Sequence, residues 1–260
     1  MRPLIACLAA SVMWAASAFA QLQARSVEYR EGGTVLQGYL AYDDAAKIPS
    51  PGVLVVHEWK GLGTYAKRRA EQLAKLGYVA FAADMYGKGV YAKDHEAAAA
   101  LSGVYRNDRQ LMRSRILAAL DVLKQQPQVD ADRIAAIGYC FGGMTVLELA
   151  RSGAAILGVV SFHGGLQTPH PQDAKAIRGK VLVLHGANDP FVTQAEVATF
   201  EHQMRAAGAD YQLIQYDGAV HSFTVPNAGH DPSSGMAYDK EADKRSWEAM
   251  QAFLEALFAG

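Results

Sequence analysis

The sequence predicts an α/β protein with a mostly parallel central sheet, helices on both faces and an N-terminal hairpin. Three observations carry this reading. Apolar strand-like runs alternate with helix-compatible stretches through most of the chain. Several runs are apolar at every position, Gly52-Val53-Leu54-Val55-Val56 among them, as a strand buried on both faces requires. Residues 135–143 read Ala-Ala-Ile-Gly-Tyr-Cys-Phe-Gly-Gly, an apolar strand end thrown into a helix through a turn flanked by glycines.

The elements follow in chain order. Ser26–Tyr29 and Val35–Tyr42 are short strands around Gly32-Gly33, a hairpin signal. Asp43 to Pro51 reads as loop, and Gly52–Val56 as a buried strand. Thr64 is placed to cap a helix running to Lys75, and Tyr78–Ala83 is the next strand. Asp94–Leu101 and Asp108–Leu123 are helical, the second closed by the Gln126-Pro127 break. Arg133–Ile137 is the strand entering the glycine-flanked turn, and Met144–Arg151 the helix leaving it. Ile156–Phe162 and Lys180–His185 are two more buried strands. Thr193–Ala207 is a helix stopped by Gly208, Tyr211–Tyr216 a strand, and Met236–Leu257 a closing helix. No repeat and no flexible linker divides residues 21–260, which read as a single domain.

Composition narrows the function. The 260 residues, 50% hydrophobic and 20% charged, suit one globular domain with a sizeable core. A formal net charge of -1 gives no electrostatic reason to expect nucleic acid as a partner. Residues 1–20 stand apart. Arg2, an apolar stretch Leu4–Ala16 broken only by Ser11, and Ala18-Phe19-Ala20 before Gln21 describe a secretory signal peptide. The expected location is the bacterial periplasm, with no membrane association after cleavage, because the apolar stretch is short for a span. Cleavage would remove Cys7 and leave Cys140 as the only thiol, so no intramolecular disulfide is expected. A lone thiol in an oxidising compartment asks for a chemical reason. Arg106, Arg109, Arg113 and Arg115 form a basic cluster, read as a solvated helix face rather than an anion site.

Reactive groups of an open parallel sheet collect at the carboxyl ends of its strands. Cys140 follows one strand, Asp189 follows Val181–His185, and His221 follows Tyr211–Tyr216. Nucleophile, acid, histidine is the chain order of the α/β-hydrolase fold. Proton bookkeeping assigns the roles. Cys140 attacks an acyl carbon as thiolate, His221 moves the protons, and Asp189 holds the imidazole in one tautomer. Asn188 is a rival for the acid, but Asp189 carries the charge. Backbone N–H groups of Phe141 and Trp59 are the expected oxyanion donors. His57-Glu58 invites a zinc reading, but position 61 is glycine, so the second histidine of H-E-x-x-H is absent and no metal or cofactor is implied.

These motifs resemble the dienelactone hydrolase family, whose elbow is G-x-C-x-G-G. The resemblance rests on Gly138-Tyr139-Cys140-Phe141-Gly142-Gly143, the Glu58 loop, Ala83-Asp84-Met85-Tyr86, Asp189 and His221-Ser222-Phe223. It implies hydrolysis of an activated ester or enol-lactone through a thioester, with carboxymethylenebutenolidase as one possible activity. It also implies that Glu58 faces the nucleophile and that the resting thiol stays neutral, bonded to this carboxylate until substrate shifts it. The family holds a substrate carboxylate with two arginines; here Lys88 and Val225 stand at those positions. Lys88, Tyr86, His163 and Phe223 are the expected substrate contacts, with Trp59 and Phe141 adding apolar surface. The partner is a small-molecule ester or lactone, and a monomer is the expected state, with a dimer left open. Three other readings remain: a broad carboxylesterase, a non-catalytic periplasmic binding protein on the same scaffold, and a redox-sensing thiol.

Overall fold

The computed structural model of the protein describes residues 21–46 and 48–259. The signal-peptide segment and Cys7 lie outside the described residues. The strands are β1 (Leu22–Glu31), β2 (Thr34–Asp43), β3 (Ser50–Val56), β4 (Val79–Ala83), β5 (Val129–Tyr139), β6 (Gly158–Phe162), β7 (Lys180–Gly186) and β8 (Tyr211–Tyr216). The helices are α1 (Thr64–Lys75), α2 (His95–Asn107), α3 (Arg109–Lys124), α4 (Phe141–Arg151), α5 (Gln194–Ala207) and α6 (Lys240–Phe258). The strands form one sheet in the order β1-β2-β4-β3-β5-β6-β7-β8. β1 and β2 form the hairpin expected around Gly32-Gly33, and β2 pairs antiparallel with β4. Every later pairing is parallel.

Burial follows the alternation of side chains along the strands. In β3, Leu54 and Val56 enter a core closed by Met112, Ile116 and Leu123 of α3 and Val146 of α4. Val53 and Val55 enter the opposite core, closed by Ala66, Ala70 and Leu73 of α1 and Met250 and Leu254 of α6. Each large apolar side chain so buried stabilises the fold by about 1.5–3 kcal/mol. A sheet covered on both faces keeps polar chemistry off its surfaces and leaves it to the loops at the strand ends.

Several boundaries differ from the sequence expectation. Gly63 is the N-cap of α1, and Thr64 is its first helical residue. α2 passes through Gly103 and continues to Asn107. β5 begins at Val129 because a register shift opposite Pro51 and Gly52 lets its first residues pair before Ile134 resumes the ladder. α6 starts at Lys240 rather than Met236, because the Asp239 carboxylate accepts the Glu241 and Ala242 amides and fixes the start there.

Candidate active site

β5 delivers Cys140 to the turn that opens α4. Its backbone lies at φ 54° and ψ -111°, a region that side-chain-bearing residues rarely adopt. Glycine makes the turn possible. A Cβ at Gly138 would lie 2.1 Å from the Gly142 carbonyl oxygen, and one at Gly142 would lie 2.3 Å from that of Val56. Cys140 is 7% exposed and lines a cleft of about 520 Å³. Two further non-glycine residues among those described have positive φ, His163 (39°) and Ser222 (59°), and both adjoin this site. Backbone strain is thus concentrated where three strand ends meet.

Two hydrogen bonds join the residues ordered by the sequence. His221 Nε2 lies 3.1 Å from Cys140 Sγ, and His221 Nδ1 lies 2.8 Å from Asp189 Oδ2. The other Asp189 oxygen accepts the Phe191 amide at 2.8 Å, so the turn after β7 aims the carboxylate. Asn188 instead accepts the Gly218 amide and braces the loop ahead of His221. Burial opposes a charged imidazole. The Cys140 sulfur and the Asp189 carboxylate outweigh it and push His221 up to about 10.

Glu58 corrects one expectation. Among the described residues no hydrogen bond joins it to Cys140; Ser222 Oγ approaches its Oε1 at 3.5 Å, while the sulfur is engaged by His221. The physical reason is that Asp189 has already turned Nε2 toward the sulfur, leaving Ser222 as the hydroxyl that meets the carboxylate. Half-buried against a second cavity of about 500 Å³, Glu58 loses hydration, which pushes its carboxyl up to about 7 against the attraction of His221.

The oxyanion loop contains a residue whose role the sequence reading missed. His57 is fully buried, and its Nε2 accepts the Met85 amide at 3.3 Å. The proton therefore sits on Nδ1, which donates to the Glu58 carbonyl at 2.6 Å. That carbonyl and the Trp59 N–H belong to one trans peptide and point opposite ways, so anchoring one aims the other. Tyr86 Oη donates to the Trp59 carbonyl at 2.9 Å and fixes the next peptide. The amides of Phe141 and Trp59 have no acceptor among the described residues, and both residues line the cleft. The sequence signal for His57 is its place directly after a buried strand, which a metal-ligand reading of His57-Glu58 does not use.

The expected substrate contacts fare less well. Lys88 is on the surface, paired with Glu28. Tyr86 packs beneath the loop against His57, Tyr105 and Phe141. His163 is buried beside His221 and bonded to Thr224 Oγ1 at 2.8 Å, and Phe223 is fully buried against it. None of these four lines the cleft with Cys140. Each follows a strand end, but its side chain turns into the packing beneath the loops. The basic cluster is also corrected: Arg109 and Arg115 are buried, and Arg113 pairs with Glu148 and Asp173. Arg106 and Arg109 line the cleft, together with Met144, Phe191 and Val192. A helix break at Asp108 is what turns the two arginines inward, and spacing alone did not reveal it.

The sheet order and the turn carrying Cys140 are those of the α/β-hydrolase class. The sequence profile described as the dienelactone hydrolase family matches residues 36–258. The chain belongs to the dienelactone hydrolase family, and with it to the enzymes that hydrolyse carboxylic esters or lactones. The solved structure titled m3DLH is 43% identical, covers 91% of this chain and 99% of its own, and superposes with a TM-score of 0.88. A dienelactone hydrolase-like promiscuous phosphotriesterase from metagenomic libraries is 42% identical, with 92% and 99% covered and a TM-score of 0.86. Protein K02A2.1 of Caenorhabditis elegans is 37% identical over 150 residues, 57% of this chain and 95% of its own length.

Proposed function

We propose that the protein hydrolyses an activated ester or enol-lactone through a thioester on Cys140. The supporting observation is the continuous path from Sγ through His221 to Asp189, at 3.1 Å and 2.8 Å, beside an open cleft. His221 takes the thiol proton, and the thiolate adds to the acyl carbon. The oxyanion that forms is met by the Phe141 and Trp59 amides. The adduct expels the enolate or phenolate, which His221 protonates. His221 then removes a proton from water, the hydroxide adds to the thioester, and the thiolate leaves with the acid as product. A thiol with a reference pKa of about 8.5 leaves more readily than a simple alkoxide, so simple alkyl esters return to reactant and stabilised leaving groups go forward.

Export is part of the proposal. The supporting pattern is Arg2, Leu4–Ala16 and Ala18-Phe19-Ala20; on this reading cleavage leaves a mature chain that begins at Gln21 and resides in the periplasm. One measurement addresses both points: the intact mass of protein recovered from the periplasm after exposure to an aryl ester or enol-lactone. The mass should fit residues 21–260 plus one acyl group, and the adduct should be absent from Cys140→Ala. Turnover should vanish in that variant and be poorly restored by Cys140→Ser. Full activity in Cys140→Ala would remove the nucleophile assignment.

A further inference from the structure

The α2–α3 junction turns two arginines toward the cleft that contains Cys140, and neither meets a carboxylate. Arg106 is exposed and makes no ion pair or hydrogen bond among the described residues. Arg109 is 8% exposed. Its Nη2 reaches the Gln167 carbonyl only at 3.4 Å, and its Nε and Nη1 have no hydrogen-bond partner among the described residues. Leaving a buried donor unmatched is costly, about 1–3 kcal/mol for each group and more when it is charged. The neighbouring arginines are engaged: Arg113 holds Glu148 and Asp173, and Arg115 holds Glu31. Glu196, the carboxylate lining this cleft, is taken up by the Thr193 amide and the Gln167 side chain. The wall therefore offers two cationic forks that form no ion pair among the described residues; the nearest carboxylate acting on Arg109, Glu148, is already bonded to Arg113 and Arg151.

We propose that Arg106 and Arg109 form an anion subsite for a carboxylate carried on the acyl portion of the substrate. The site is distinct from Lys88, which is paired with Glu28 on the surface, and from Val225, which lines the neighbouring cavity. Met144, Phe191 and Val192 supply apolar surface for the carbons of the acyl chain. The proposal rests on the ester-hydrolase reading, because the cleft is defined by the sulfur it contains.

The test uses matched pairs of 4-nitrophenyl esters: half-esters of succinate, glutarate and adipate against the uncharged butyrate, pentanoate and hexanoate. At least one half-ester should exceed its uncharged counterpart in kcat/KM. That ratio should fall about ten-fold or more in Arg106→Gln and in Arg109→Gln, the scale of a lost charge-assisted bond, and partly recover in Arg109→Lys. Uncharged esters preferred throughout, or equal losses within each pair, would overturn the subsite. A second measurement needs no turnover: calorimetric binding of glutarate and adipate to Cys140→Ala, with loss of binding when Arg106→Gln is added. Absence of binding by either diacid also overturns it. If every ester is inert, the hydrolase reading falls, and diacid binding still decides the subsite. Arg106 is exposed, so its variant answers the question even if Arg109→Gln does not fold.

Discussion

Two adjacent residues, His57 and Glu58, divide the work of one loop by the state in which burial holds them. His57 is neutral, because burial lowers its pKa and the Met85 amide occupies Nε2. It serves as a fixed strut for the Glu58–Trp59 peptide. Glu58 is adjustable, because its carboxyl is raised from 4.5 to about 7. A carboxyl raised on folding binds its proton more tightly in the native state, so its ionisation weakens the fold as pH rises from the unfolded value of 4.5 to the folded value of about 7. The shift corresponds to about 2 kcal/mol once the water-accessible part of the side chain is allowed for. Glu58→Gln removes that penalty, so its gain in thermal midpoint over the parent should be larger at pH 8 than at pH 5. Ionised Glu58 attracts the His221 imidazolium, so kcat/KM should rise with pH through a limb near 7, and that limb should vanish in Glu58→Gln. A limb unchanged in the variant would assign the ionisation to another group.

At the scale of elements, the elbow is where sequence and structure agree most closely, because steric exclusion leaves a chain few choices. The glycines at 138 and 142 admit backbone atoms at distances where a Cβ cannot sit. Helix starts were less legible. Thr64 looked like a cap and Gly63 serves as one, while Asp94, Asp108 and Thr193 do cap their helices through side-chain oxygens. Capping depends on one backbone torsion that several polar neighbours can supply. Glycine context yields opposite outcomes for one substitution. Gly142→Ala places a methyl 2.3 Å from the Val56 carbonyl oxygen and 2.7 Å from that of His57, and neither backbone atom can retreat without moving the oxyanion loop. It should lower unfolding free energy by about 3 kcal/mol or more and abolish ester hydrolysis. Gly103→Ala lies within α2 with nothing within 4 Å of the new methyl. It should stabilise by about 0.5–1 kcal/mol through helix propensity. Urea denaturation of both variants reads the two signs, and equal signs would refute the steric account.

For the whole molecule, the sequence made the sheet class and the Cys140–Asp189–His221 order legible, because periodicity and chain order encode them directly. It did not reveal which face of each loop meets the cleft. Lys88, Tyr86, His163 and Phe223 follow strand ends where substrate contacts are expected, yet their side chains are fixed by long-range partners that no local pattern specifies. The same is true of Arg69, a surface-like residue of α1 that proves to be a junction. It pairs with Asp243 of α6, donates to the Thr224 carbonyl at 3.2 Å, and lies against the rings of Tyr65, Tyr139 and Trp247. Thr224 Oγ1 in turn lies within hydrogen-bond distance of Tyr65 Oη at 2.6 Å and His163 Nε2 at 2.8 Å, so the cation ties α1 and α6 to the loop that carries His221. Removing one member of a largely buried ion pair strands the other, at a cost of about 3–5 kcal/mol, whereas replacing both by apolar groups is often close to neutral. Arg69→Met should therefore lose stability on that scale, and Arg69→Met with Asp243→Leu should regain most of it. The catalytic consequence should not follow stability, because the double variant still lacks the donor to Thr224. Its kcat should stay depressed while its urea midpoint recovers. Recovery of both together would mean that Arg69 acts on the fold alone and leaves the placement of His221 to Tyr65 and His163.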